Sequence, residues 1–444
     1  WMEPDAAHYG GHQFGVWAGQ LGDGRAIVLG ELERPDGEVV ELQLKGAGPT
    51  AYSRRADGRA VLRSSVREFL CSEAMHALGV PTTRALSLVT TGDRVVRDMF
   101  YDGNPQAEPG AIVCRVAPSF LRFGSYELPA SRGETELLRK LVGFTLTRWF
   151  PEFPGRDADT VAAWLGEVAE RTARLIARWQ ALGFVHGVLN TDNMSILGLT
   201  IDYGPYGWID GFDLAWTPNT TDAQQRRYAF GNQPGVGVWN VARLGVALQP
   251  LLDGEAPVEA AVGRFRDAYG EAAAVEFGRK LGIAFDPERG DGALVQELFD
   301  WLGARETDMT IFFRSLAPAL TAAAPPDDLP AATAQAFYDD RPTKHRERGV
   351  EWLRRWWRRA RADGEDPAAV AASMQRANPK FVLRNWLSQT AIDAAARGDA
   401  SVLERLLAVL RRPFDEQPEH EELAGRRPEW ARHKPGCSAL SCSS

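Results

Sequence analysis

The sequence predicts an α+β fold with two lobes, of which the first is rich in strands and the second is helical. Three observations favour it. The N-terminal part combines glycine-rich turns with short runs of alternating apolar and polar residues, which are typical of antiparallel hairpins. From about residue 136 onward, apolar residues recur at intervals of three and four, as in amphipathic helices. With 444 residues the chain is also long for one domain.

The first predicted hairpin begins at a glycine-rich turn, residues 19–25, which leads into an apolar run at 26–30. Residues 35–38 (PDGE) predict the turn, and residues 39–45 alternate as a half-buried strand does. Such a glycine turn can bring backbone N–H groups close to phosphates. Lys45 ends the second strand, where a lysine can point over the same turn.

A helix is predicted over residues 61–78, and Gly79 with Pro81 ends it. Glu68 lies within this helix, either as a solvated carboxylate or as the partner of Lys45. Because Lys45 stands upstream of this helix, we expect the ion pair, which would hold the ammonium group toward a phosphate.

Two arginines follow the strand-like run at 111–114. Arg115 and Arg122 flank the mostly apolar residues 116–121. In such a setting they either hold an anion together or form two separate ion pairs with local acids, and their spacing alone leaves both interpretations open.

The loop that follows a long predicted helix at 161–182 has the pattern of kinase catalytic and metal loops. Residues 186–193 (HGVLNTDN) precede Asp202-Tyr203-Gly204, whereas kinases carry His-x-Asp, then an Asn, then a metal-binding Asp. Val188 stands where the first aspartate belongs, yet Asn193 and Asp202 keep the metal-ligand pattern, and Asp192 adds a new carboxylate. This pattern predicts a protein-kinase-like two-lobed fold.

These patterns divide the chain into four parts. We expect a kinase-like N-lobe at 1–135 with the glycine loop, Lys45 and the Glu68 helix, a helical C-lobe at 136–320 with the catalytic and metal loops, a helical C-terminal extension at 333–430, and a flexible Cys-containing tail at 431–444. Residues 322–332 read as a linker. In the extension, residues 378–385 (NPKFVLRN) are predicted to start one helix and residues 402–410 to form another.

Composition limits the partners. A net charge of −8 argues against nucleic acid or anionic membranes as partners, and no apolar run approaches the roughly 18 residues of a membrane helix. The basic stretch at 354–361 (RRWWRRAR) is expected to pack its tryptophans and to pair or solvate its arginines. Four cysteines favour a reducing compartment, and hence a cytoplasmic location. A mitochondrial location stays open because the chain begins at Trp1.

The chain resembles the selenoprotein O family, also called the YdiU family, of kinase-fold protein adenylyltransferases. The resemblance runs across nearly the whole chain. It is carried by residues 9–15 (YGGHQFG), 19–26, 42–50, 63–70 (RSSVREFL), 186–204 and 378–385.

The resemblance implies an enzyme that binds ATP in reversed orientation and transfers AMP to Ser, Thr or Tyr hydroxyls of protein substrates, with release of pyrophosphate. Carried over residue by residue, the resemblance implies that Lys45, Arg115 and Arg122 bind the phosphates and that Glu68 orients Lys45. It implies that the nucleotide is lined by Gly22, Gly24 and Arg25 and is contacted at its other end by Asp57 and Gly58. It further implies that Asn193 and Asp202 are ligands of Mg²⁺ or Mn²⁺, that Asp202 also contacts the nucleotide, and that Asp192 is the base.

Alternatives exist for individual residues. Asp192 could instead cap the following turn. His8 and His12 are spaced like metal ligands, but we interpret them as part of a structural loop. In the tail, Cys442 resembles the sulfur counterpart of the family's selenocysteine, which implies redox control by an exposed thiol. Its simplest partner is Cys437, and the alternative is a disordered tail with inert thiols.

Two other functions compete with AMP transfer: a metal-dependent phosphotransferase, and a catalytically inactive pseudokinase that acts as a binding or redox-sensing module. Val188 argues against the first, because it removes the kinase's catalytic aspartate. Joint retention of Lys45, Glu68, Asn193 and Asp202 argues against the second. We therefore expect an adenylyltransferase that works as a monomer.

Overall fold

The computed structural model describes residues 3–339 and 342–441. It shows a mixed α/β chain in which a sheet region precedes most of the helices. Its strands are β1 (His12–Gln13), β2 (Val16–Trp17), β3 (Ala26–Glu33), β4 (Val39–Lys45), β5 (Ala60–Val61), β6 (Arg84–Arg97), β7 (Gln106–Ala117), β8 (Phe184–Val185) and β9 (Gly207–Trp208). Its α-helices are α1 (Leu62–Ala77), α2 (Phe123–Ser131), α3 (Thr135–Trp149), α4 (Ala158–Leu182), α5 (Gln233–Leu248), α6 (Ala256–Leu281), α7 (Asp291–Gly303), α8 (Met309–Leu320), α9 (Ala331–Ala334), α10 (Thr343–Arg361), α11 (Pro367–Ala377), α12 (Asn385–Ala395) and α13 (Ser401–Leu410).

The main sheet has five antiparallel strands in the order β3-β4-β7-β5, and β6 also pairs with β7. The hairpin predicted over residues 26–45 is confirmed as β3 and β4. Gln43 lies directly opposite Arg115 in the β4–β7 register. Because side chains alternate along a strand, Lys45 shares the face of Gln43. The sheet therefore collects Gln43, Lys45 and Arg115 on one side.

Helix α1 confirms the helix predicted over residues 61–78. Its apolar side is buried, with Val66 and Leu70 fully enclosed. Gly79 follows the helix at φ 75°, a left-handed conformation that favours glycine. Glu68 is only 2% exposed, so its carboxylate must find partners inside the protein.

Helix α4 leads directly into the loop of interest. Asp157 caps its start by accepting a hydrogen bond from the backbone N–H of Thr160 at 2.8 Å, and Gly183 ends it at φ 72°. The chain then enters β8, which pairs with β9. Residues 186–206 connect these two short strands, and His186 Nε2 bonds the carbonyl of Ile201 at 3.0 Å. The loop is thus held at both ends and across its middle.

The basic stretch at 354–361 belongs to α10 and is packed as predicted. Of its two tryptophans, Trp356 is buried and Trp357 is partly buried against the same core. Arg355 pairs with Glu297, and Arg359 Nη2 lies 2.8 Å from Asp291 Oδ2. These two arginines thus serve contacts within the chain.

The start of α12 differs from the prediction. Residues 378–384 are not helical, and α12 begins at Asn385. The reason is Arg384, which is 1% exposed and pairs with Asp210 at 2.8 Å and Asp308 at 2.7 Å. An extended segment before the helix lets this buried arginine reach both acids.

Of the tail expected over 431–444, the structure describes residues 431–441. Thr220 donates its backbone N–H to the Leu440 carbonyl at 2.7 Å, and Leu440 donates to Pro218 at 3.1 Å. Leu440 therefore lies against the 218–220 segment. Over the described ranges, no helix combines the length and apolar character needed to cross a membrane.

Candidate active site

A cavity of about 770 Å³ opens between the glycine-rich turn and the loop after β8. Val188 and Tyr101 lie on its wall together with nine of the predicted site residues. Those nine are Gly22, Gly24, Arg25, Lys45, Asp57, Gly58, Arg115, Asn193 and Asp202. Residues that are up to 180 positions apart in the sequence thus meet in one space.

Lys45 forms the predicted ion pair with Glu68. Lys45 Nζ lies 2.7 Å from Glu68 Oε2 and 3.6 Å from Asp202 Oδ1. Burial lowers the pKa of Lys45, and the nearby Glu68 carboxylate opposes that effect. The lysine is therefore fixed between an α1 carboxylate and the loop aspartate.

Arg115 and Arg122 converge on Asp202, so they hold one anion together and do not form separate local pairs. Arg115 Nη1 lies 2.6 Å from Asp202 Oδ1 and 3.1 Å from Glu68 Oε1. Arg122 Nη1 lies 2.5 Å from Asp202 Oδ2. Burial alone would raise the pKa of Asp202, but Arg122, Arg115 and Lys45 outweigh it and hold that pKa well below its usual value. Three basic side chains thus favour the ionised form of Asp202.

A second layer behind these arginines was not predicted. Gln43, which is fully buried, accepts a hydrogen bond from Arg115 Nη2 and donates one to Asp23 Oδ2 at 3.1 Å. Tyr9 donates its hydroxyl to Asp23 Oδ1 at 3.2 Å, and the Arg122 guanidinium lies 4.4 Å from the centre of the Tyr9 ring. This layer restricts the directions in which both guanidinium groups can point.

The glycine-rich turn is packed against the segment that follows β4. At Gly22, which has φ 141°, a Cβ atom would lie 2.5 Å from the Tyr52 ring, so only glycine fits. Thr50 donates its hydroxyl to the Asp23 carbonyl at 2.6 Å. On the far wall, the Asp57 carboxylate accepts from Arg97 Nη1 at 2.9 Å. The wall around the predicted nucleotide contacts is therefore held by packing and by one exposed ion pair.

Asn193 and Asp202 carry oxygens that suit a hard cation. Asn193 donates its Nδ2 to the Val188 carbonyl at 2.9 Å, which leaves its Oδ1 for another partner. Within residues 3–339 and 342–441, no group of three or more His, Cys, Asp or Glu side chains could hold a metal ion. Two protein oxygens fit Mg²⁺ or Mn²⁺ when phosphates and water supply the remaining ligands.

Asp192 is not among the residues that line the cavity, but it directly precedes Asn193, which is. Its side chain is buried, and Oδ2 accepts from Gln13 Nε2 at 3.0 Å, while Oδ1 is buried without a hydrogen-bond partner. Arg122 Nη1 donates to the Asp192 main-chain carbonyl at 2.8 Å. Burial raises the pKa of Asp192 to about 6, and Gln13 and Arg122 limit that rise. An unsatisfied carboxylate oxygen with this pKa is suited to accept a proton near neutral pH.

The segment before β3 fixes the Asp192 loop. His12 donates its backbone N–H to Thr191 Oγ1 at 2.7 Å, and His12 Nδ1 lies 2.7 Å from Glu127 Oε1. Phe14 donates its backbone N–H to Asn190 Oδ1 at 3.2 Å. These bonds agree with the interpretation of residues 8–12 as a structural loop.

Of the two cysteines predicted for redox control, the structure describes Cys437. Cys437, the partner expected for Cys442, is 4% exposed, and burial raises the pKa of its thiol to about 11. Cys442 lies outside the described residues. A Cys437–Cys442 pair therefore stays a prediction from the resemblance.

Comparison with known proteins adds an independent finding. The model of a family described as protein adenylyltransferase SelO matches residues 2–411. A protein nucleotidyltransferase YdiU of Nitrosospira multiformis is 56% identical over 468 residues, which cover 100% of this chain and 83% of the relative. Proteins with the same name in Xanthomonas campestris pv. campestris and Azoarcus sp. are each 58% identical over 446 residues, covering 100% of this chain and 85% of their own.

Proposed function

Because the chain belongs to the protein adenylyltransferase SelO family, and is therefore a nucleotidyltransferase with ATP as its co-substrate, we propose that its cavity transfers AMP from ATP to Ser, Thr or Tyr hydroxyls of proteins. We further propose a protein-kinase-like arrangement in which residues 1–135 and 136–320 form two lobes around the cavity. The single observation that carries the assignment is the convergence of Lys45, Arg115 and Arg122 on one anionic position, occupied by the Asp202 carboxylate.

This cation cluster suits a pyrophosphate leaving group. Attack on the α-phosphorus expels the β- and γ-phosphates together, and the negative charge on them grows in the transition state. Arg115 and Arg122 are buried and Lys45 is half-buried. Glu68 holds Lys45 and Arg115, Gln43 holds Arg115, and Asp202 holds Arg122, so the three side chains are oriented before ATP arrives. Preorganised charges of this kind stabilise a developing anion without reorganisation at the moment of reaction.

The rest of the nucleotide would extend toward the mouth of the cavity. Gly22, Gly24 and Arg25 would line it from the glycine-rich turn, with Asp57 and Gly58 at its other end. This order puts the phosphates at the buried end, beside Asn193 and Asp202, and it agrees with the reversed ATP orientation implied by the resemblance.

Asn193 and Asp202 would hold Mg²⁺ or Mn²⁺. When bound, such a cation neutralises phosphate charge and favours departure of the leaving group. Both residues line the same cavity as Lys45 and Arg115, and the Oδ1 of Asn193 that Val188 leaves available supports this assignment.

Asp192 would be the general base. The hydroxyl of the acceptor gives its proton to a carboxylate oxygen of Asp192 as its own oxygen forms a bond with the α-phosphorus. The bond between the α-phosphorus and the oxygen that bridges to the β-phosphorus breaks, and pyrophosphate leaves with that electron pair. Val188 stands where a kinase carries its catalytic aspartate, and it lines the cavity without a carboxylate. That position therefore cannot supply the base, which supports Asp192 in this role.

Isotope-labelled ATP tests the reaction type. The enzyme is incubated with Mg²⁺, an acceptor protein mixture and ATP labelled at either the α- or the γ-phosphate. Label transfer from α-labelled ATP alone is the expected result. Transfer from γ-labelled ATP alone would identify a phosphotransferase instead, and ATP binding without any transfer would identify an inactive nucleotide-binding protein.

A further inference from the structure

Three rings form a partly exposed row beside the loop that carries Asp192. The Trp17 and His12 ring centres are 5.1 Å apart, and those of His12 and Trp239 are 5.3 Å apart. Trp17 is 37% exposed and its neighbour Val16 is 70% exposed. We call Trp17, His12 and Trp239 the ring row.

The position of the ring row is fixed relative to the proposed base. His12 bonds Thr191 through its backbone N–H, and the next residue, Gln13, bonds the Asp192 carboxylate. His12 and Trp17 both belong to the β1–β2 hairpin, which spans only six residues from His12 to Trp17. A protein segment lying on the ring row would therefore be close to Asp192.

Two arginines flank Trp239. The Arg227 guanidinium carbon lies 4.7 Å from a ring centre of Trp239, and that of Arg243 lies 5.3 Å from it. Neither arginine forms an ion pair with any residue in the described part of the chain. The Nε atoms of both are buried and lack a hydrogen-bond partner.

The acids nearest to these arginines already have other partners. Asp222 accepts backbone N–H groups of Arg227 and Tyr228 at 2.9 and 2.7 Å. Glu127 is bonded by His12 Nδ1 and by the Thr191 hydroxyl. Arg227 also shares a side-chain hydrogen bond with Tyr228, and the charges of Arg227 and Arg243 act on Asp222 and Glu127 without an ion pair. A guanidinium group has five N–H donors, so both arginines keep donors for a carboxylate from outside the chain, which arginine binds through two parallel hydrogen bonds.

We propose that the ring row, together with Arg227 and Arg243, is the docking surface for the acceptor protein, and that it favours acceptors with an Asp or Glu close to the modified hydroxyl. The inference rests on the proposed function, because only a protein acceptor needs a surface next to Asp192. Tryptophan and arginine are the residues that most often carry binding energy in protein interfaces. A base can act only on a hydroxyl held within hydrogen-bond reach, so docking beside Asp192 also positions the acceptor.

A pair of peptides tests the surface directly. Both contain one Ser and differ only in flanking residues, which are Asp in one and Asn in the other. Binding to the full chain is measured by fluorescence anisotropy at low salt. We expect the Asp peptide to bind at least about tenfold more tightly. The double variant Arg227→Gln/Arg243→Gln should reduce that difference to about twofold or less.

Arg139→Gln is the matched control, since Arg139 is an exposed arginine on α3, and it should keep the full preference. Equal binding of both peptides to the wild-type chain would overturn the proposal, as would a preserved preference in the double variant. Thermal unfolding checks that the double variant is folded. If it is not, the wild-type comparison and the single variant Arg243→Gln decide.

AMP transfer to the same peptides separates this inference from the proposed function. Transfer without preference for the Asp peptide would overturn the docking surface and leave the proposed function standing. Absence of transfer to any acceptor, with ATP still bound, would overturn the proposed function, whatever the peptide-binding result.

Discussion

The hydrogen bond from Gln13 to Asp192 predicts a specific change in the pH dependence of AMP transfer. Gln13 Nε2 donates to Asp192 Oδ2 at 3.0 Å, and this bond favours the ionised carboxylate. The change Gln13→Leu removes the donor and keeps a side chain of similar size. The ionised form loses more than the protonated form does, so the pKa of Asp192 must rise.

The size of this effect follows from the bond. A hydrogen bond to a charged group contributes about 1.5–3 kcal/mol, whereas one to a neutral group contributes about 0.5–1.5 kcal/mol. The difference, roughly 1–1.5 kcal/mol, corresponds to about one pH unit. With a starting pKa of about 6, the variant should transfer AMP about eightfold more slowly at pH 5.5 and about twofold more slowly at pH 7. Above pH 9 the two rates should agree, because Asp192 is ionised in both.

The measurement is kcat/KM for AMP transfer between pH 5 and 9.5. Gln106→Leu replaces an exposed glutamine on β7 and should leave the profile unchanged. A variant whose activity falls by the same factor at every pH would show that Gln13 acts only on structure. A midpoint that stays at the wild-type pH would refute the assignment of Asp192 as the base.

Three further changes have outcomes fixed by buried charges. Glu68→Gln removes the partner that holds Lys45 at 2.7 Å, so we expect ATP to bind at least about tenfold more weakly in calorimetry; unchanged affinity would contradict the orienting role. Asp192→Asn removes a carboxylate whose pKa is raised from 3.8 to about 6. Because the folded pKa is the higher one, the wild-type native state loses stability as pH rises through this window, and the variant escapes that loss. Urea unfolding should therefore show a gain of up to about 3 kcal/mol at pH 8 and almost none at about pH 3. Arg384→Met leaves the fully buried Asp308 unpaired, which should cost about 3–5 kcal/mol in urea unfolding; a loss below 1 kcal/mol would show that Arg384 does not hold the C-terminal helices in place.

Local patterns predicted the elements that position the site. Strand alternation placed Lys45 at the end of β4, and helical spacing placed Glu68 on α1, so their ion pair could be expected from two short segments. Glycine at left-handed positions marked the ends of α1 and α4 at Gly79 and Gly183. Each of these signals depends on residues that are close in sequence.

Contacts between distant segments were beyond such patterns. Gln43 shares the strand face of Lys45, a signal that could have identified it, but its bond to Arg115 depends on the β4–β7 register. Gln13 and Asp192 are 179 positions apart. The helix start at Asn385 was predicted wrongly because buried ion pairs, and not local propensity, determine the path of the preceding segment.

The mass of an acceptor protein after incubation with ATP and Mg²⁺ tests the central claim most directly. The claim is that Asp192 activates a hydroxyl for attack on the α-phosphorus. The wild-type enzyme should add the mass of one AMP group to the acceptor. Asp192→Asn should add none while still binding ATP, since Asp192 does not line the nucleotide cavity. An acceptor that gains a phosphoryl group, or an AMP adduct formed equally well by Asp192→Asn, would contradict it.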